Sequence, residues 1–251
     1  MPDRSDIAYG YDGSFEGLLC CVFESFQKKE APDDIAGPGE HQLSLFEKKT
    51  VDTDGEKARR VAAGICEKIG KDALLFVQRS FLTCLPHKEK HILVFLKKAF
   101  RIGPKIMRMP TDDAVNALFN AVRHLSNEVH LLSGFIRFSI HRDMMASEIT
   151  PKNYVLPLLA PHFADRDPNE RWLIHDKTHG MALIYEGGNA QILEVEEFTL
   201  PAPDAEEVKF QKLWTLFYDT IAIEGRYNPK CRMSHMPKRY WENMTEFSAK
   251  P

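Results

Sequence analysis

The chain has 251 residues and a net charge of −3, with hydrophobic and charged fractions of 43% and 27% that are typical of a soluble globular protein. No apolar run approaches the roughly 20 residues of a membrane span, and the opening MPDRSDIAYGYDG has no apolar signal region. We therefore expect a cytoplasmic protein with no membrane contact. The slightly acidic balance argues against a nonspecific nucleic-acid coat.

The N-terminal part begins with turn chemistry followed by a helix. In YDGSFEGLLCCVFESF, residues 11–26, the apolar residues recur at helical spacing, and Ser14 or Asp12 is the expected cap. Residues 30–53 contain several Pro and Gly and few apolar positions, which predicts a flexible connection. The periodicity then predicts three helices, at about 54–69, 71–84 and 88–101.

A longer helix follows, with Thr111 as its expected cap and Gly134 as its C-terminal stop. Residues 135–141 (FIRFSIH) have the alternation of a strand. Pro151 is expected to begin a short helix that Pro157 kinks or ends.

The clearest topological signal lies at about 172–195. Three β-prone runs, WLIHD, MALIYE and AQILEV, are separated by KTHG and GGN, which fit hairpin turns and predict an antiparallel meander. Asp204 with Glu207 three residues on has capping-box spacing and predicts a last long helix with a bulky apolar stripe. The predicted fold class is α+β, mainly helical with one small meander.

Five cysteines occur without metal-ligand or redox spacing. We interpret Cys20, Cys66 and Cys84 as buried reduced thiols, with a thiolate nucleophile or an iron–sulfur ligand as the alternative. The sequence leads us to expect no metal site and no cofactor.

The charge is unevenly distributed along the chain. Residues 88–108 hold seven Lys or Arg against one acid, residues 186–207 hold seven acids and no Lys or Arg, and 226–241 are basic and aromatic without an acid. Basic side chains neutralise phosphates and aromatic rings stack on unpaired bases, so the two basic segments are candidate nucleic-acid contacts. The candidate residues are Lys97, Lys98, Arg101, Lys105, Arg108, Arg226, Lys230, Arg232, Lys238, Arg239, Tyr240 and Trp241.

The tail from 226 to 241 follows a bulky apolar helix and contains Pro229 and Pro237. We therefore expect an ordered clasp, with Tyr240 or Trp241 packed against the body of the protein, and with a final helix from Pro237.

A second group combines His, Asp and Arg, the residue types of acid/base and hydrolytic chemistry. No recognised catalytic motif accompanies them, so we expect no catalysis by this chain alone. The stretch HFADRDP has two interpretations. It can form a turn in which the Asp side chains bond backbone amides, or it can line a functional cleft in which Arg137, Arg166 and Arg171 clamp phosphate. The weak catalytic candidates are His162, Asp165, Arg166, His175 and Asp176.

Several separated segments resemble one bacterial family. They are YDGSFEGLLCCVFESF, EVHLLSGFIRFS (128–139), PLLAPHFADR with WLIHD (157–176) and MPKRYWENMTEF (236–247). Together they are similar to the probable DNA metabolism proteins, whose C-terminal part is the DUF4130 domain. The resemblance implies an N-terminal helical part at 1–84, including the loop at about 30–53, and a DUF4130-like α+β domain at 85–251, packed as one unit.

Members of that family accompany a radical-SAM protein of DNA modification or repair, and some are fused to a uracil-DNA glycosylase-like domain. We expect 251 residues to leave no room for the glycosylase, and the radical-SAM Cys-x3-Cys-x2-Cys pattern is absent. The resemblance therefore implies a DNA-binding accessory protein that acts with the radical-SAM partner. An enzyme acting on a DNA lesion or nucleotide, or a protein-docking scaffold that uses the acidic segment, are the alternatives.

Overall fold

A computed structural model describes residues 4–39, 46–195 and 198–248. The contacts divide the chain into two compact units, Met1–Leu125 and Ser126–Pro251. The architecture is α+β and predominantly helical, which confirms the predicted fold class. Within the described ranges, no helix has the length and apolar character needed to cross a membrane.

The first unit contains a three-stranded parallel sheet in the order β2-β1-β3 and a set of helices. Ser14 caps the first helix as expected, because its hydroxyl accepts the amide of Gly17 at 2.9 Å. Ile7 and Tyr9 of the central strand are buried in the same core as Leu18 and Val22 of the first helix. The elements are β1 (Ile7–Gly10), α1 (Phe15–Lys28), β2 (Asp34–Ala36), β3 (Glu47–Thr50), α2 (Gly55–Lys68), α3 (Lys71–Phe81), α4 (Lys88–Ile102), a 3-10 helix (Pro104–Arg108) and the start of α5 (Asp113–Phe135).

The second unit is organised around a five-stranded mixed sheet in the order β4-β5-β6-β7-β8. Trp172 is fully buried on β6, between Phe163 of α6 and the stacked ring of Tyr185 on β7 at 4.9 Å. The elements are β4 (Ser139–His141), β5 (Met144–Ile149), α6 (Leu156–Arg166), β6 (Trp172–Asp176), β7 (Met181–Glu186), β8 (Asn189–Glu194), α7 (Ala205–Thr220), a 3-10 helix (Glu224–Arg226), α8 (Pro229–His235), a 3-10 helix (Lys238–Asn243) and α9 (Thr245–Ser248).

The predicted meander is present as β6, β7 and β8, which pair antiparallel. The sheet extends beyond it, because β5 pairs parallel to β6 through the α6 crossover and β4 pairs antiparallel to β5. The predicted cap at Asp204 is also confirmed, since its carboxylate accepts the amide of Glu207 at 2.8 Å.

The prediction of a flexible connection at 30–53 was wrong for the residues of this range that the structure describes. Strands β2 and β3 lie there and pair with β1, with Ala8 opposite both Asp34 and Lys48. These strands are short, and β3 (EKKT) is largely exposed, so neither has an apolar alternation that sequence could reveal. Residues 40–45 of this predicted connection lie outside the described ranges.

Four expected boundaries also differ. The carboxylate of Asp112, rather than Thr111, accepts a first-turn amide of α5, from Val115 at 3.4 Å. Helix α5 continues through Gly134, so only Ser139–His141 of the predicted strand 135–141 is extended. Pro157 lies in the first turn of α6, where its missing N–H costs nothing, so it opens the helix instead of ending it. Pro237 is followed by a 3-10 helix, not by an α-helix.

Candidate nucleic-acid interface

Two lysines of the first basic segment are bound within their own unit. Lys97 on α4 donates to the main-chain oxygen of Glu30 at 2.7 Å. Lys98 donates to both carboxylate oxygens of Asp112, at 2.8 and 2.7 Å. Both ammonium groups hold α4 to neighbouring segments, so their charge is already compensated or oriented inward. These two candidates have structural roles.

The other three candidate cations of this segment lie around the end of α4 and are exposed to solvent. Helix α4 ends at Gly103, whose φ of 80° lies in the left-handed region, and Pro104 begins the 3-10 helix. Ile106 is buried and anchors this helix, which leaves Lys105 and Arg108 exposed. Together with the exposed Arg101 at the end of α4, they make no ion pair within the described ranges. Three uncompensated positive charges therefore lie within eight residues of chain.

The C-terminal basic segment contains the expected clasp. Tyr240 is buried, and its ring packs on Phe135 with centroids 5.5 Å apart. Arg239 donates from Nη2 to Glu128 Oε1 at 3.1 Å, and the Glu128 carboxylate also accepts the amides of Lys152 and Asn153. Burial raises the pKa of the Tyr240 hydroxyl above its ordinary value. Arg239 and Tyr240 therefore fix the tail in place and offer little to a ligand.

Trp241 is similarly occupied. Its ring stacks on Phe247 at 4.6 Å, and its indole N–H donates to the main-chain oxygen of Met236 at 3.0 Å. The guanidinium of Arg232 lies 5.1 Å and the ammonium of Lys238 5.7 Å from the centre of the same ring. The cation–aromatic stack orders the tail and displays the exposed Lys238 at its edge.

The candidate residues thus separate into two groups. One group is engaged in packing or pairing: Lys97, Lys98, Arg232, Arg239, Tyr240 and Trp241. The other group is exposed and forms no ion pair in the part of the chain that the structure describes: Arg101, Lys105, Arg108, Arg226, Lys230 and Lys238.

Sequence reasoning grouped the weak catalytic candidates, but the structure distributes them over two elements. His162, Asp165 and Arg166 are exposed along α6. His175 and Asp176 are buried neighbours on β6, and successive side chains of a strand point to opposite faces. His175 Nδ1 lies 3.5 Å from Glu148 of β5, and its ring lies against Phe198.

Asp176 forms a carboxylate–imidazole pair with His179, which was not among those candidates. The fully buried Asp176 accepts the amides of Thr178 and His179 and lies 2.6 Å from Nδ1 of His179. Tyr154 approaches the imidazole edge-on at 5.5 Å, and its pKa is raised by burial and by the charge of Asp176. The signal in the sequence that could have indicated this pair was the Asp-x-x-His spacing across the predicted KTHG turn. This geometry fixes the ring, as an orienting carboxylate does for a general base.

The clamp of three arginines has not formed as a phosphate site. Arg171 pairs with Asp143 and with Glu186. Arg137 donates from Nη2 and Nε to the buried carboxylate of Glu246, at 2.9 and 3.3 Å. Arg166 is exposed, with Asp167 at 3.7 Å. Two of the three guanidiniums therefore have short contacts to carboxylates.

Glu246 links Arg137 to α7. Its Oε2 accepts the indole N–H of Trp214 at 3.0 Å. Burial alone would raise the pKa of Glu246, but the hydrogen bonds from Arg137 and Trp214 outweigh burial and hold the pKa below its usual value. Beside this group lies a groove of about 850 Å³ whose lining includes Phe138, Met145, Arg166, Phe210, Trp214 and Phe217.

A second cavity, of about 540 Å³, lies in the first unit between β2 and the turn that precedes α4. Its lining includes Asp34, Cys84, His87 and Glu89, and His87 Nδ1 lies 3.1 Å from Asp34. Cys84 is exposed and Cys66 half-buried, so of the three cysteines expected to be buried only Cys20 is. Among the described residues, no three His, Cys, Asp or Glu side chains come together as metal ligands.

The architecture is that of a helix-rich α+β protein, with exposed cations around the end of α4 in the first unit and in the C-terminal tail of the second. The family described as "Domain of unknown function (DUF4130)" matches residues 86–246, more than half of the chain, and the chain belongs to this family. The match begins in the turn before α4 and continues across the division at Leu125 into the second unit. The boundary at 84/85 stays a prediction. Compared with curated proteins, the chain matches none.

Proposed function

We propose that this chain is a DNA-binding accessory protein of a bacterial DNA repair or modification system. The observation that carries the proposal is the set of exposed cations that form no ion pair with any described residue, three around the α4 terminus and three in the C-terminal tail. An exposed, uncompensated guanidinium or ammonium can release a condensed counterion when it contacts phosphate, which is the main source of DNA affinity. Cations that already have a carboxylate partner contribute much less.

The order of the C-terminal tail supports the same proposal. Arg239 and Tyr240 fix the end of the segment, and Arg232 lies over the ring of Trp241, so Lys238 lies beside residues that are held by packing. A basic surface that is already ordered loses less conformational entropy when it binds than a disordered arm does. The two basic segments are local, so they are compatible with a net charge of −3 for the whole chain.

The proposed partner is a radical-SAM protein of DNA repair, with a uracil-DNA glycosylase-like protein as a further partner. This part rests on the resemblance to the DNA metabolism proteins. Co-purification of the chain with its radical-SAM neighbour under anaerobic conditions tests it, and the absence of a complex would contradict it.

The DNA-binding part is tested by fluorescence anisotropy with labelled single- and double-stranded 30-mers at about 50 mM salt, where phosphate contacts are strong. Two triple variants remove the proposed contacts: Arg101→Gln, Lys105→Gln, Arg108→Gln in one, and Arg226→Gln, Lys230→Gln, Lys238→Gln in the other. We expect each to weaken binding at least tenfold.

The matched control is one triple variant, Lys71→Gln, Lys209→Gln, Lys212→Gln, which also removes three positive charges. These lysines are also exposed but lie outside the basic segments, and we expect their loss to change affinity less than twofold. Equal losses in the control and in the two basic-segment variants would show that only net charge matters. An absence of binding by the unmodified chain would refute the proposal.

The Asp176–His179 pair favours an enzyme acting on a DNA lesion or nucleotide as the second candidate. A buried carboxylate that holds Nδ1 leaves Nε2 of the imidazole as the atom that would accept a proton. Turnover of damaged oligonucleotides that is lost in His179→Gln, with folding and DNA affinity retained, would support this function. Full activity of that variant, or no turnover of any substrate, would count against it.

A further inference from the structure

Helix α7 exposes an unusually apolar surface for a folded chain. Six large hydrophobic side chains along it are between 40% and 63% exposed: Phe210, Leu213, Trp214, Leu216, Phe217 and, at its C-cap, Ile221. Ile223 and Tyr227 continue the exposed apolar surface beyond the helix. Single exposed hydrophobic residues are common, but eight within 18 residues of chain are characteristic of an interface.

The helix is held on the second unit largely by polar bonds. Glu207 accepts the amide of Ile140 at 3.1 Å, and Gln211 donates to the hydroxyl of Ser139 at 3.2 Å. The indole N–H of Trp214 donates to Glu246. Since these contacts fix the helix, its outward apolar stripe is presented in a preorganised form, which lowers the entropy cost of binding.

The exposed area matches that of a stable protein–protein interface. A large apolar or aromatic side chain carries roughly 200 Å² of surface, so about half exposure leaves about 100 Å² for each residue. Leu216 lies about 120° round the helix from the others, and the remaining seven residues sum to about 700 Å², close to the roughly 800 Å² that each partner buries in a standard interface. A monomer seldom leaves so much apolar surface in water.

We propose that this surface binds a second copy of the same chain, with the two α7 helices packed antiparallel about a two-fold axis. The stripe Phe210, Leu213/Trp214, Phe217, Ile221 has the three- and four-residue spacing of a helix-packing ridge and bulky residues throughout, so it is self-complementary when reversed. Trp214 lies near its centre, where anchor residues of interfaces are usually found. The groove beside Trp214, of about 850 Å³, receives bulky side chains of the partner helix.

The ends of the helix are compatible with this arrangement. Asp204, Glu206 and Glu207 lie at its start beside Lys209, and Glu224 and Arg226 follow its end. Antiparallel packing brings the acidic start of each helix near the end of the other that Arg226 follows, and opposes the two helix dipoles. Large hydrophobic residues in place of charges at the centre of the stripe are typical of homodimer interfaces.

Sedimentation equilibrium of the full chain at about 10 µM tests the proposal, because interfaces of this size commonly have dissociation constants of micromolar or below. We expect twice the chain mass of 28.8 kDa. Leu213→Glu with Phe217→Glu should yield monomer and raise the dissociation constant at least 100-fold. Lys212→Glu, an exposed change on the same helix but off the stripe, should leave the dimer intact.

Tryptophan emission provides an independent readout. Trp214 is partly exposed, whereas Trp172 is fully buried, so dimerisation should shift the emission of the unmodified chain to shorter wavelength as its concentration increases. Circular dichroism checks that the double variant remains folded. A chain that sediments at 28.8 kDa even at about 100 µM, or a double variant that still dimerises, would overturn the proposal, as would a monomer that binds a different protein through α7.

Discussion

Removal of the Glu246 carboxylate tests how the C-terminal end of the chain is held in the second unit. The Glu246 side chain is 1% exposed and that of Arg137 is 24% exposed, with Nη2 and Oε1 at 2.9 Å. Trp214 adds a third hydrogen bond to the same carboxylate. Breaking a buried pair by removing one partner costs about 3–5 kcal/mol, because the remaining charge is left without compensation.

We therefore expect Glu246→Ala to lower the free energy of unfolding by about 3 kcal/mol, the lower end of that range, because Arg137 keeps some contact with water. With a urea dependence of about 1.5 kcal/mol/M, the midpoint should fall by about 2 M. Urea titration followed by tryptophan emission measures it. Glu242→Ala, an exposed neighbour, is the control and should change stability by less than about 0.5 kcal/mol.

The pH dependence provides a second check on the same residue. A carboxyl group whose pKa is lowered in the folded state stabilises the protein above its unfolded pKa of about 4.3 and loses that contribution as pH falls through the folded pKa. The stability difference between the unmodified chain and Glu246→Ala should be constant from pH 7 to about 5 and diminish below about 4. A cost below about 1 kcal/mol at pH 7 would refute the reasoning.

Two further predictions concern the packing of the first unit and the reactivity of the cysteines. Gly17→Ala should destabilise the first unit by about 1–3 kcal/mol in thermal unfolding, because the added Cβ would lie 2.2 Å from a carboxylate oxygen of Asp12. Gly64→Ala, whose added Cβ has its closest contact at 3.7 Å, is the control and should be neutral or stabilising. Equal effects of the two substitutions would contradict this. A thiol reagent should modify the exposed Cys84 and Cys231 rapidly and spare Cys21, since burial raises the pKa of Cys21 to about 12; rapid labelling of Cys21 in the folded chain would be the contrary result.

Sequence patterns predicted the helices and the meander well because each depends on local periodicity and caps. The apolar spacing from Phe15 onward and the Asp204 cap act within one or two turns of chain. Strand β3 escaped prediction since its EKKT sequence is exposed and is stabilised by backbone pairing with β1. Such pairing depends on a partner strand nearly 40 residues away, which no local pattern can reveal.

The composition of the candidate site was predictable, but its division into structural and available cations was not. Lys98 pairs with Asp112, whereas Lys105, only seven residues further on, is exposed. Arg239 and Glu128 are 111 residues apart in the sequence and meet only in the folded unit. Net charge and clustering identify basic segments, while the availability of each charge depends on tertiary contacts.

The salt dependence of DNA affinity tests the central claim most directly. Three phosphate contacts, by Arg101, Lys105 and Arg108 or by Arg226, Lys230 and Lys238, predict that log affinity for duplex DNA falls with log salt at a slope of about −3 at each basic segment. A triple variant should bring the slope at its own segment toward zero, because the three contacts are lost. A slope near zero for the unmodified chain, or one that neither triple variant changes, would contradict the proposal that these cations bind DNA.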